Sequence, residues 1–217
     1  MDDLPLFPLQ TVLFPGMPLH LHIFEERYKR MMRLCIETRQ PFGVVLIRQG
    51  NEALGPLAEP YPVGCTAQVM QVQRLDEGRL NLVAVGKERF RILTLNYEAK
   101  PYLLGSVQPY PLVITEAQQL QQEGKRLRMW IDRYLQTMAD AGKGPINLQS
   151  LPDDPVSLAY AAAAIIPVQP VQKQGILEQE NALGLLQGVQ AIYRREIALL
   201  KAMLSGRAEE MGSFSYN

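Results

Sequence analysis

The sequence has no net charge: 22 Lys and Arg balance 22 Asp and Glu. Wholesale binding of nucleic acid needs clustered, uncompensated cations, and this balance argues against it. Cysteine occurs only at Cys35 and Cys65, each among apolar neighbours. No disulfide framework is possible with so few, and two reduced, buried thiols are expected, which fits a cytoplasmic location. The most apolar run late in the chain, Leu158 to Val168, is too short for a bilayer and contains Pro167. The opening Met1-Asp2-Asp3-Leu4-Pro5 carries acid where a signal peptide carries base. Neither a membrane span nor an export signal is expected. Disorder as the main state is excluded by an apolar content of 47%. A chain of 217 residues makes one large domain or two small ones and folds without staples.

Catalytic motifs are also scarce. Gly86-Lys87, Gly124-Lys125 and Gly142-Lys143 are followed by Glu, Arg and Gly, not by the hydroxyl that a P-loop places on Mg²⁺. No glycine fingerprint for a dinucleotide follows a strand, and no serine sits in a nucleophile elbow. Lys201 and Ser205 share a helical face, but at a helix end where nothing desolvates the lysine. His20 and His22 point to one face of a strand, yet lack a third metal ligand at short spacing. The expectation is a protein without cofactor, metal or catalytic residues.

What is present divides near residue 114. Before it, short β-branched and aromatic runs alternate with Pro and Gly. Leu4 to Pro8 reads as an edge strand, since proline is excluded from central ones. Thr11 to Gly16 closes in a Pro15-Gly16 turn, and Leu19, Leu21 and Ile23 alternate with the histidines as a half-buried strand. A helix follows over about 25–38, with Tyr28, Met31, Met32 and Cys35 as its apolar stripe. Phe42 to Ile47 reads as a strand buried on both faces. Val63 to Leu75, the Asp76-Glu77-Gly78 turn and Leu80 to Val85 form a hairpin, and Phe90 to Leu95 and Leu103 to Val107 add two strands. These predict an α+β chain whose first part, residues 1–114, is a curled sheet or small barrel with one inserted helix.

Residues 115–205 read as a helical bundle. Thr115-Glu116-Ala117-Gln118 is a capping box, and Leu120, Leu127, Trp130, Ile131, Tyr134, Leu135 and Met138 recur at helical spacing until Gly142, Gly144 and Pro145. Asp154 with Pro155 starts an alanine-rich helix that Pro167 stops. A short helix over 171–178 precedes a long one over 181–204, and residues 206–217 read as a frayed, flexible tail.

Two surfaces stand out. The turn Leu13-Phe14-Pro15-Gly16-Met17-Pro18 carries Leu13, Phe14 and Met17 where a loop is exposed, and such a patch suits adaptable recognition of apolar segments. Trp130 and Tyr134 mark a second candidate, a groove between barrel and helices. Among the basic groups, Lys87, Arg89 and Arg91 lie on a strand beside Phe90, as an RNA-binding strand would; Glu88 interrupts them, and a solvated face is the expected reading.

The opening Leu4-Pro5-Leu6-Phe7-Pro8-Leu9-Gln10-Thr11-Val12-Leu13-Phe14-Pro15-Gly16-Met17-Pro18-Leu19 resembles that of the Lon protease N-terminal substrate-binding domain. His22-Ile23-Phe24-Glu25-Glu26-Arg27-Tyr28 is similar to the motif of its free-standing bacterial relatives, and 63–67 through 75–80 to Gly86–Ile92 resembles the family's central hairpin. Asp153-Asp154-Pro155, Leu158-Ala159, Ile166-Pro167-Val168, Lys173-Gln174 and Ile176-Leu177-Glu178 follow in family order, so the resemblance spans about 4–204. Tyr160 and Gly184 depart from it, standing where an acid and an arginine are common. The resemblance implies a PUA-like pseudo-barrel followed by a helical bundle ending in a long helix. It also implies non-catalytic recognition of unfolded or apolar protein segments, with a separate protease as a possible partner, because the ATPase and Ser-Lys peptidase domains of full-length relatives have no counterpart in this sequence. RNA binding is the alternative that a PUA-like barrel leaves open, by fold analogy alone.

Overall fold

A computed structural model describes residues 3–52, 57–114, 116–142 and 151–213, and for 206–213 the backbone alone. The elements run β1 (Leu4–Leu9), β2 (Pro18–Ile23), α1 (Glu26–Thr38), β3 (Phe42–Gln49), β4 (Glu59–Pro60), β5 (Val63–Arg74), β6 (Leu80–Asn96), β7 (Leu103–Pro109), α2 (Ala117–Asp140), α3 (Pro155–Ile165), α4 (Pro170–Leu177) and α5 (Ala182–Ser213). They form two compact units. The first is Met1–Leu112 with Pro167–Glu180; the second is Val113–Ile166 with Asn181–Asn217.

In the first unit the sheet closes on itself. The strands follow the order β1-β7-β6-β5-β3, and β1 then pairs with β3 to complete the ring. Strand β1 is therefore not the edge strand its prolines predict. Its first half, Leu4 to Leu6, pairs with β7, and its second half, Leu6 to Leu9, pairs with β3. Pro5 and Pro8 fall in different halves, so each has a side without a ladder where a missing N–H costs nothing. On the side of the sheet that faces α1, Phe7 packs on Tyr28 at 4.3 Å and on Phe42 at 6.3 Å between ring centroids. Helix α1 covers this core with Tyr28, Met31, Met32 and Cys35, the stripe that its period predicts. Both cysteines are free and buried. Burial pushes the Cys35 thiol up to about 11 and the Cys65 thiol up to about 12, so neither ionises near neutral pH.

Strand β6 is one strand of 17 residues where the sequence predicts two. Its glycine explains the difference. A Cβ on Gly86 would stand 2.3 Å from the Phe14 carbonyl oxygen, so only glycine lets the turn lie against the strand. That contact is sealed by Gly16 N–H donating to the Gly86 carbonyl at 2.9 Å and Gly86 N–H donating to the Met17 carbonyl at 3.0 Å. The ladder continues through Gly86 instead of breaking there.

Helix α4, predicted as part of the helical subdomain, belongs to the first unit. Three side chains hold it. Arg89 on β6 donates from Nη1 to the carbonyls of Leu177 and Gln179, each at 2.6 Å. Tyr110 donates from its hydroxyl to the Glu178 carbonyl at 3.1 Å, and Gln174 donates from Nε2 to the Val63 carbonyl at 3.0 Å. The last carbonyls of a helix have no intrahelical partner and carry its negative dipole end, so a buried guanidinium is the natural complement.

In the second unit α3 packs against α2 and α5, which also pack on each other. Ala159, Ala161, Ala162 and Ala163 are buried on α3, and such small side chains admit close approach from two sides. The Tyr193 hydroxyl donates to the Ala162 carbonyl at 3.1 Å, and Gln190 Nε2 donates to Glu123 Oε2 at 2.9 Å. Asp154 caps α3 as predicted, accepting from the Ser157 amide at 2.8 Å. Of the predicted capping box, Thr115 lies outside the described residues; Glu116 holds the N-cap position of α2 without a side-chain cap bond. Gly144 and Pro145 also lie outside them. Helix α5 does not end near Leu204 but runs to Ser213. The sequence beyond Gly206 offers Arg207-Ala208-Glu209-Glu210-Met211, all good helix formers, and a single glycine does not stop a helix.

Two stability predictions follow from these contacts. Arg89→Ala is expected to cost about 3 kcal/mol in urea unfolding, because the buried helix-end carbonyl of Leu177 and the half-buried carbonyl of Gln179 lose a charged donor. Arg89→Lys restores little of it, since the ammonium lacks the planar fork. Phe14→Ala is expected to cost about 3–5 kcal/mol, the loss for emptying a fully buried aromatic site, measured by the same melts.

Candidate functional site

The structure alters the predicted apolar turn. Leu13 and Phe14 are core residues, 3% and 0% exposed, and only Met17 reaches the surface, half-buried. Phe14, Pro15, Gly16 and Met17 form a tight turn closed by Met17 N–H donating to the Phe14 carbonyl at 3.1 Å. Pro15 supplies the fixed φ and Gly16 the positive one, at 79°. The turn thus directs its large side chains inward. Leu13 and Phe14 are not part of an exposed patch.

The turn leads directly into β2, and β2 lies in the sheet whose open face is the more accessible feature. Strand β2 pairs with β6 from Pro18↔Val85 to Ile23↔Leu80, and β6 pairs in turn with β5. Residues directly opposite one another share a face. Leu19, Leu21, Leu80, Leu82 and Ala84 therefore turn toward the core, where the structure places them. Pro18, His20, His22, Asn81, Val83, Gln71 and Gln73 turn outward. A cavity of about 530 Å³ lies on this outer face, lined by His20, His22, Gln71, Gln73, Asn81 and Val83 among others. A chain of hydrogen bonds crosses it. His22 Nδ1 is 2.8 Å from Asn81 Oδ1, and Asn81 donates from Nδ2 to Gln73 Oε1 at 3.0 Å. His22 also stacks on Phe24 at 6.0 Å. Both histidines are exposed, and no group of three metal-binding side chains occurs among the described residues.

Strand β5 borders this face. Only Cys65 to Ala67 pair with β3, so from Gln68 to Arg74 the strand has β6 on one side and no other strand, among the described residues, on the other. Met70 and Val72 on this open edge are 58% and 39% exposed. Sequence reasoning missed the edge because strand order is not written in one strand. The alternation of His20 and His22 against Gln71, Gln73 and Asn81 was the available signal.

The two aromatic candidates lie in the second unit. Tyr134 is buried, with its ring edge-on to Tyr193 at 5.4 Å, and burial raises its hydroxyl above the ordinary value. It is not an accessible contact. Trp130 is half-buried on α2, with the guanidinium groups of Arg133 and Arg194 at 5.6 and 5.3 Å from its ring.

The basic strand is dismantled as a surface. Arg89 is 4% exposed and holds α4, and Arg91 lies on the Tyr110 ring at 4.3 Å. Of the three, Lys87 alone is exposed. At the other end of the chain, Ser205 donates to the Lys201 carbonyl at 3.0 Å, a backbone contact and not a serine–amine dyad. No described helix is long and apolar enough to cross a membrane.

Comparison with known proteins gives these surfaces a context. The family model described as the ATP-dependent protease La (LON) substrate-binding domain matches residues 3–192. Lon protease 2 of Myxococcus xanthus is 26% identical over 200 residues, covering 91% of this chain and 24% of its own length. Lon protease of Escherichia coli is 24% identical over 209 residues, covering 92% of this chain and 25% of its own length. The chain thus spans about a quarter of the length of the curated relatives it matches, and the match does not reach their remaining domains. Among solved structures, a Lon N-terminal domain protein from Xanthomonas campestris superposes with a TM-score of 0.61 at 23% identity, covering 88% of this chain and 98% of that one. The N-terminal domain of Mycobacterium avium complex Lon protease gives 0.62 at 18% identity, covering 89% and 98%. The fold, the order of motifs and the family match agree: the chain belongs to the Lon substrate-binding domain family.

Proposed function

We propose that the chain is a non-catalytic, cytoplasmic binding module that takes extended apolar segments of unfolded proteins on the outer face of the β2-β6-β5 sheet, and that it presents them to a separate protease. The open edge of β5 from Gln68 to Arg74, beside the cavity of about 530 Å³, carries this reading. An unpaired strand edge offers main-chain donors and acceptors that accept any extended peptide without regard to sequence. Met70 on that edge offers apolar contact, and a methionine adapts to many shapes. Each large side chain fully buried on binding contributes about 1.5–3 kcal/mol, so a few such contacts give weak, reversible capture. Pro18 extends the face toward the turn, since it pairs with Val85 two residues beyond Val83, whereas Met17 packs against the core. Trp130 is the accessible remnant of the second candidate surface, and RNA binding is left with Lys87 as its one exposed cation of the three.

Fluorescence anisotropy with unfolded, carboxamidomethylated α-lactalbumin tests the proposal. Wild-type protein is expected to bind, and Met70→Asp is expected to bind about tenfold more weakly, the effect of removing roughly one buried side-chain contact. Its thermal unfolding should change little, because Met70 is surface-exposed. Trp130→Ala should leave binding unchanged. A loss with Trp130→Ala and none with the β5 variant would move the surface to the helical unit and overturn the assignment.

A further inference from the structure

On the opposite side of the same hairpin, a second cavity of about 370 Å³ lies between α1 and the turn that joins β5 to β6. Its charge is lopsided. Lys29, Arg33, Arg74 and Arg79 line it against a single acid, Glu37. In a chain with no net charge, four cations around one concavity call for an explanation.

Part of the explanation is structural. Lys29 donates from Nζ to Glu26 Oε1 at 2.8 Å and to the Glu77 carbonyl at 2.7 Å, tying the hairpin turn to α1. Arg79 donates from Nε to the Asp76 carbonyl at 3.2 Å, with Glu77 Oε2 at 3.9 Å. These contacts build the walls. They leave Arg33 and Arg74, which make no ion pair and no side-chain hydrogen bond among the described residues. The hydrogen bond from Lys29 lowers the Glu26 carboxyl, and the charges of Arg30 and Arg33 act in the same direction, as expected beside a positive field. The floor is apolar: Ile36 and Leu80, half-buried, pack on the core below, and Leu75 lies beside them.

We propose that this cavity is a second peptide subsite, which receives a carboxylate next to an apolar side chain and so gives the module a preference for acidic, apolar segments. The proposal rests on the peptide-binding reading above and adds a selectivity to it. Guanidinium groups recognise carboxylates by paired, charge-assisted hydrogen bonds, and the floor of Ile36, Leu75 and Leu80 takes the neighbouring side chain. A nucleic acid suits the site poorly. The lining holds no aromatic ring on which a base could stack.

The test uses the whole chain and three fluorescein-labelled peptides of equal length, in which Leu alternates with Glu, Gln or Lys. The Glu peptide is expected to bind about tenfold tighter than the Gln peptide at low salt, the ratio that roughly one charge-assisted hydrogen bond supplies, and the Lys peptide weakest. Added salt should shrink the Glu-to-Gln ratio. The double variant Arg33→Gln, Arg74→Gln should bring the ratio to one while binding of the Gln peptide persists. Both arginines are exposed and unpaired, and far-UV circular dichroism checks that the fold is kept. An equal affinity for the Glu and Gln peptides, or a ratio that survives in the double variant, overturns the subsite. Displacement of the Glu peptide by single-stranded RNA at equal concentration also overturns it. Failure of the wild type to bind the Gln peptide, with the Glu preference intact, counts instead against the apolar sheet face.

Discussion

Strand β6 serves three neighbours at once, and this constraint orders the first unit. Its early residues pair with β2 on one side and β5 on the other; its later residues pair with β5 and β7 and close the barrel. A strand that does both must turn from one sheet direction into another without breaking its ladder. Gly86 stands at that turn, with the Phe14 carbonyl packed where a side chain would be. Three residues later the same strand presents Arg89 to the end of α4. The open sheet face, the barrel and the docked helix are thus successive uses of one strand.

The neutral composition conceals an uneven division of labour among the cations. Arg89 and Arg91 lie against Tyr110, the first buried beneath α4. Lys29 fastens the hairpin turn. Once these structural roles are assigned, the positive charge left unpaired in the cleft between α1 and the hairpin turn, among the described residues, is that of Arg33 and Arg74. Counting charges along the chain gave all of them equal standing. Their environments separate them, because a guanidinium with buried carbonyl partners is no longer available to a ligand. One hairpin thereby offers two chemically different sides, an outer face with an open edge and an inner cleft with unpaired guanidinium groups.

Periodicity made much of this fold legible. The stripe of α1, the continuous burial of β3 and the Asp154 cap of α3 follow from side-chain spacing and local hydrogen bonding. Pairing partners did not follow. Pro5 and Pro8 pointed to an edge strand, and β1 evades that rule by changing neighbours between them. The Phe14 turn read as surface because loops are exposed, yet the Gly16–Gly86 contact turns its side chain into the core. Arg89 read as surface because arginines are seldom buried, and its partners, the carbonyls of residues 177 and 179, lie far along the chain. The family could be recognised from linear motifs, whereas the candidate site depends on which strand edge stays open, a property of the assembled sheet.

Amide hydrogen exchange, followed with and without an unfolded apolar client, tests the central claim most directly. If the client adds to the open edge, amides between Gln68 and Arg74 should exchange more slowly in its presence, while α2 and α5 are unchanged. Protection confined to the helices, with β5 unaffected, would contradict the account.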